Sequence, residues 1–163
     1  MNLQDQATTS QFAVFSYNAN GMPDTSLGQT MPAGWERIPD NLGGSMISGP
    51  FAAFAYRNIS TGQVAIAYRG TNGMGDIPAD WNILTGSWNT QFGAAAKFAA
   101  DIKNTYGNNI LVTGHSLGGT MAGIVSQMFG FDGIALDPGA ALSFTHIFNR
   151  QSQGGGLDCT IIE

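Results

Sequence analysis

The stretch from Ile110 to Phe129 constrains the fold most, because an apolar run, a glycine-rich turn and an amphipathic segment follow one another directly. The turn, Gly114–Gly118, reads Gly-His-Ser-Leu-Gly. With 23 glycines in the chain, that five-residue pattern alone is weakly specific. Its position between a strand-like run and a helix-like run is specific, because such a turn holds its serine in a strained conformation between closely packed elements. Ser116 is therefore a candidate nucleophile at the C-terminal edge of a strand.

The helix expected to begin at Leu117 supplies a second group at the same place. The first N–H groups of a helix lack intrahelical partners and carry a partial positive charge. The Leu117 N–H is therefore placed to stabilise the oxyanion of a tetrahedral intermediate. The alternative is an ordinary tight turn in which Ser116 only caps the helix.

The rest of the chain alternates between strand-like and helix-like patterns. The pattern predicts helices over 8–19, 90–106 and 117–129 and strands near 35–38 and over 51–59, 63–69, 109–113, 133–137 and 158–162. Ser60-Thr61-Gly62 predicts a hairpin turn. Strand–helix alternation predicts an α/β fold whose mostly parallel sheet carries helices on both faces. At 163 residues, a single domain is expected.

Two further blocks give a family resemblance when taken with the serine turn. Val112–Gly119 resembles the nucleophile motif of the class 3, fungal-lipase-like lipases, which are α/β-hydrolases. Ala65–Thr71 resembles that family's strand ending in Arg-Gly-Ser/Thr, and Asp80–Leu84 resembles the segment after its lid. The resemblance implies that Thr71 completes the oxyanion hole and that residues 72–79 form a short lid.

What the resemblance implies chemically is a serine esterase acting on acylglycerol or phospholipid esters, with no metal or organic cofactor. Such an enzyme needs a general base and an orienting acid, which follow the serine in the order acid, then histidine. Asp137, after a predicted strand, resembles the acid in the Leu-Asp-Pro segment of pancreatic-type lipases. The class 3 lipases take their acid one strand later, so the alternative is that Asp137 caps a turn before Pro138.

The general base that the resemblance requires is a histidine. His146 is the one histidine downstream of Ser116, and it is the provisional base. It follows Asp137 by nine residues, whereas the histidine of the resembled family comes much later, and its apolar stretch favours the alternative of a packed or surface histidine. His115 adjoins Ser116, and its side chain is expected to point away from the serine oxygen.

Residues 1–163 are expected to form a single lipase-like α/β-hydrolase domain or its N-terminal portion. Two hypotheses about its function stay open. The first is a serine ester hydrolase; the second is a lipase-like fragment that binds lipid or a protein partner without turnover. The last strand-like run has no successor in the sequence, and an unpaired strand is an edge liability. Truncation, a homodimer or a completing partner chain would each account for it.

Composition excludes several other classes. Six Lys plus Arg against eleven Asp plus Glu give a net charge of -5, which argues against a nucleic-acid binder. Cys159 is the one cysteine, so no internal disulfide framework is expected, and two histidines exclude a three-histidine metal site. No apolar run reaches a membrane span, and Met1–Asp5 lacks the basic start of a secretory leader. A cytoplasmic protein, a mature form or leaderless export remain open.

Overall fold

The computed structural model describes residues 3–70, 85–136 and 159–162, which contain three α-helices and a mixed seven-stranded sheet. The helices are α1 (Leu3–Phe15), α2 (Thr85–Tyr106) and α3 (Leu117–Phe129). The strands are β1 (Trp35–Arg37), β2 (Ser45–Ser48), β3 (Phe51–Asn58), β4 (Val64–Tyr68), β5 (Ile110–His115), β6 (Asp132–Leu136) and β7 (Cys159–Ile162).

The sheet has a parallel half and an antiparallel half. Its order is β1-β3-β4-β5-β6-β7. Strands β1 and β2 both pair with the side of β3 that faces away from β4, β2 with the first half of β3 and β1 with its last residues. Strands β4 to β7 are parallel, whereas β3 forms the predicted antiparallel hairpin with β4. The C-terminal ends of β4, β5 and β6 therefore lie side by side at one edge of the sheet, and the Ser116 turn lies at that edge.

Helices cover both faces of this sheet, which confirms the predicted α/β fold. Because side chains alternate along a strand, Leu111 of β5 faces the α1 side while Val112 faces the α2 and α3 side. On the α1 side, Phe12 stacks on Tyr56 with ring centroids 4.2 Å apart. On the other side, Met121 of α3 is fully buried. The central strands are thus buried on both faces, as near-continuous apolar runs require.

The predicted boundaries hold best where turn chemistry is strong. Helix α3 has the predicted bounds and is capped by Gly130, whose φ of 72° is left-handed. Helix α1 was predicted over 8–19 but ends at Phe15, and α2 begins at Thr85 rather than at residue 90. Strand β2 was not predicted, because its side chains are at most half-buried and show no apolar alternation.

Ser126 near the end of α3 offers a test of the α3–β6 connection. Its buried hydroxyl donates to the Phe131 carbonyl at 2.6 Å. We expect Ser126→Ala to lower the free energy of unfolding by about 1–2 kcal/mol, because a buried acceptor loses its partner. Ser10→Ala is the control, since that hydroxyl donates to the Gln6 carbonyl within its own helix. Urea unfolding measures both; equal effects for the two variants would contradict the expectation.

Candidate active site

Ser116 occupies the turn between β5 and α3 in a backbone conformation that L-residues rarely adopt. Its φ is 55° and its ψ is -125°. Among the described residues, Asn20 is the one other non-glycine with positive φ, and asparagine tolerates that region better than serine. A strained φ costs about 1–3 kcal/mol and persists only where the surrounding structure enforces it. The strand–turn–helix arrangement predicted around Ser116 is therefore present, with the strain at the serine itself.

Three glycines let the chain segments around this turn approach closely. A Cβ on Gly114 would lie 2.3 Å from the Gly118 carbonyl group, and one on Gly118 would lie 2.1 Å from the Tyr68 carbonyl oxygen. A Cβ on Gly119 would lie 3.0 Å from the Gly114 oxygen. These neighbours are backbone atoms, which cannot move aside as a flexible side chain can. The glycine spacing in the sequence thus reflects close contact of β4, β5 and α3.

Hydrogen bonds hold the backbone of Ser116 and leave its hydroxyl outside the helix cap. The Ser116 N–H donates to the Leu136 carbonyl at 3.0 Å, and the Ser116 carbonyl accepts from Thr120 at 3.1 Å. The Ser116 side chain makes no capping hydrogen bond to α3, and the residue is half-buried. The capping alternative therefore lacks its expected hydrogen bond.

Leu117 begins α3 directly above the end of β5. Its side chain is buried in the cluster between the sheet and helices α2 and α3, which fixes the start of the helix. A helix of 13 residues presents unpartnered N–H groups in its first turn, and the Leu117 N–H is the first of them. The position is suited to a developing negative charge beside Ser116. Its role as an oxyanion donor stays a prediction.

Sequence reasoning missed Tyr17, which contacts the residue before the serine. Its hydroxyl lies 3.2 Å from His115 Nδ1 and donates to the His115 carbonyl oxygen at 3.3 Å. The two rings meet edge to face, 6.0 Å apart. The His115 ring is thus engaged with Tyr17. No local pattern could have found this pair, because its members are 98 positions apart.

Thr71, Asp137 and His146 lie outside the described residues, as do the proposed lid over 72–79 and the segment Asp80–Leu84. Their predicted roles stay predictions. The structure does place the residues that precede two of them. Gly70 precedes Thr71, and a Cβ on it would lie 2.7 Å from the His115 oxygen. Leu136 precedes Asp137 and accepts the Ser116 N–H. Both neighbours therefore lie at the edge of the sheet that carries Ser116.

Neither a metal cluster nor a membrane-spanning helix is found in the part of the chain that the structure describes. Within residues 3–70, 85–136 and 159–162, no three His, Cys, Asp or Glu side chains are grouped to hold a metal ion. None of the helices in these ranges is both long and apolar enough to cross a bilayer.

The sequence of the chain matches the model of a known protein family. The phospholipase-like family described as the Tle-like phospholipase domain matches residues 8–136. The chain belongs to this family. In this Tle-like domain, the matched range begins within α1, includes the whole of β4 and the Ser116 turn, and ends at Leu136, before Asp137 and His146. A comparison with curated protein sequences gives no match.

Solved fungal lipases share the fold of the Tle-like domain. Lipase II from Rhizopus niveus is 15% identical with a TM-score of 0.64, covering 97% of this chain and 70% of the lipase. Lip2 lipase from Yarrowia lipolytica is 15% identical with a TM-score of 0.56, covering 91% and 65%. The N225Q mutant of MDLA from Penicillium cyclopium is 14% identical with a TM-score of 0.54, covering 83% and 63%. The chain thus spans about two thirds of each structure, and the predicted fungal-lipase-like fold is confirmed.

Proposed function

We propose that the chain is a serine-dependent carboxylic ester hydrolase that acts through an acyl-enzyme on Ser116. The observation that carries the proposal is the positive φ of Ser116 at the junction of β5 and α3, with no capping bond from its side chain. A structure that tolerates about 1–3 kcal/mol of strain at one serine, at a sheet edge above a helix N-terminus, is suited to nucleophilic catalysis.

The proposed reaction assigns one role to each predicted site residue. The Ser116 oxygen attacks the ester carbonyl carbon while His146, oriented by Asp137, takes the hydroxyl proton. The oxygen of the tetrahedral intermediate is held by the Leu117 N–H and the Thr71 N–H. Collapse of the intermediate breaks the bond to the alcohol, which leaves with the proton from the histidine. Water, deprotonated by the same base, then releases the acid and restores the serine.

We propose phospholipid esters as the first substrate class and acylglycerol esters as the second. The description of the family as phospholipase-like favours the first, and the titles of the structural neighbours as lipases favour the second. Residues 1–163 would form one hydrolase domain or its N-terminal portion, with a homodimer mate or a completing partner chain supplying any missing group.

Covalent labelling tests the proposal directly. We expect a fluorophosphonate probe to modify the wild-type chain, and mass spectrometry of the digested adduct to place the label on the peptide that contains Ser116. Phosphatidylcholine vesicles and triolein emulsions, assayed in parallel for released fatty acid, then rank the two substrate classes. Absence of both labelling and ester turnover would overturn the proposal and favour the non-catalytic lipid- or partner-binding fragment.

A further inference from the structure

The parallel hydrogen-bond ladder between β4 and β5 stops just before the site. Its last pair is Tyr68 and Gly114. Beyond that pair, the hydroxyl of Tyr17 lies between the two chain segments. It donates to the His115 carbonyl at 3.3 Å and lies against Gly70, where an added Cβ would be only 2.3 Å from the hydroxyl oxygen. One side-chain oxygen therefore joins the segments where backbone pairing has ended.

Several contacts show that Tyr17 fits closely at this place. A Cβ on Gly70 would lie 2.3 Å from the Tyr17 hydroxyl oxygen and 3.5 Å from the Gly118 nitrogen. Tyr17 itself follows α1, which Phe12 and Phe15 anchor in the buried cluster on that side of the sheet. Burial raises the pKa of Tyr17 above its ordinary 10.0, and the neighbouring Gly70 backbone and Arg69 charge oppose this effect without cancelling it. The hydroxyl thus stays protonated and able to donate at neutral pH.

We infer that Tyr17 is a positioning residue that sets the spacing between the Gly70 segment and the Ser116 turn, and with it the geometry of the oxyanion hole. The inference rests on the proposed function. The two proposed donors, Thr71 and Leu117, follow different strands, so their separation depends on whatever joins those strands at this edge. A misplacement of about 1 Å in a catalytic arrangement can cost about 100-fold in rate.

Tyr17→Phe tests the inference, because it removes the bridging oxygen and keeps the ring. We expect the second-order rate of fluorophosphonate labelling and kcat for ester hydrolysis to fall about 10- to 100-fold, with KM within about twofold of wild type. Tyr56→Phe is the matched control. It also removes a buried tyrosine hydroxyl that donates to a backbone carbonyl, that of Gly21. Tyr56 pairs with Ala65 on β4, well before the site, so its labelling rate should be unchanged.

The outcomes separate the inference from the proposed function. Labelling of Tyr17→Phe at the wild-type rate would overturn the role of Tyr17 and leave the hydrolase proposal standing. Equal slowing of labelling in Tyr17→Phe and Tyr56→Phe would also overturn the role of Tyr17, because general destabilisation would then explain the lower labelling rate. A wild-type chain that does not label would sink the hydrolase proposal and the inference that rests on it.

A second measurement does not depend on catalytic activity. NMR hydrogen exchange of the wild-type chain and of Tyr17→Phe reports on the Gly70 amide, which belongs to the residue that the Tyr17 hydroxyl contacts. We expect this amide to exchange at least about 10-fold more slowly than an unstructured peptide amide, and to lose that protection in Tyr17→Phe. A Gly70 amide without protection in the wild type would contradict the bridge itself.

Discussion

Replacing Ser116 with alanine is expected to abolish fluorophosphonate labelling and to lower ester hydrolysis at least about 1,000-fold. The reason is that the variant lacks the oxygen that forms the acyl-enzyme, while the proposed oxyanion donors remain. Alanine carries the same Cβ as serine, so the strain at φ 55° is unchanged. The free energy of unfolding should therefore stay close to that of the wild type. Labelling rate, fatty-acid release and urea unfolding check the three parts of this expectation.

Ser60→Ala is the matched control for that experiment. Ser60 is exposed in the turn between β3 and β4, away from the edge that carries Ser116. Its variant should label and hydrolyse as the wild type does. The nucleophile assignment fails if Ser116→Ala labels at the wild-type rate, or if the adduct maps to a different serine.

Gly118→Ala is expected to have the largest effect on stability. The added methyl group would lie 2.1 Å from the Tyr68 carbonyl oxygen and 2.8 Å from its carbon, so backbone must move on β4 or α3. Overpacking that displaces backbone costs about 3 kcal/mol or more, which for a chain of this size lowers Tm by about 6–12 °C. Because the same movement shifts the first turn of α3, the Ser116 labelling rate should fall as well. Thermal and urea unfolding measure the first effect.

Gly93→Ala separates this clash from the general effect of placing alanine in a helix. Gly93 is exposed in α2, and a Cβ there would meet nothing within 4 Å. Alanine should stabilise that helix by about 0.5–1 kcal/mol, since it restricts the unfolded chain and favours helix. A Gly118→Ala variant as stable as the wild type would show that the close approach of α3 to β4 is not required.

The most accurate sequence predictions concern segments whose signals are local. Helix α3 begins and ends as predicted, because a glycine turn precedes it and Gly130 ends it. The β3–β4 hairpin follows from two apolar runs around a three-residue turn. Strand β2 escaped prediction because its pairing with β3 depends on a partner strand rather than on its own half-polar residues.

The candidate site also has a part that local patterns predict and a part that they do not. The sequence predicted the strand–turn–helix at Ser116 because glycine spacing and apolar periodicity are readable without a fold. It could not assign Asp137 or His146 with equal clarity, since acid and base come together only through tertiary structure. Both lie outside the described residues, so their roles are still predictions.

By itself, then, the sequence determined the α/β class, the hairpin and the strained serine turn, because each depends on neighbours a few residues apart. Only the tertiary structure decided which segments surround that turn. It showed that Gly118 contacts the end of β4 and that the Tyr17 hydroxyl lies between Gly70 and His115. These contacts join positions far apart in the chain, and their geometry depends on how α1 and the sheet pack together. Local sequence propensity cannot predict that packing.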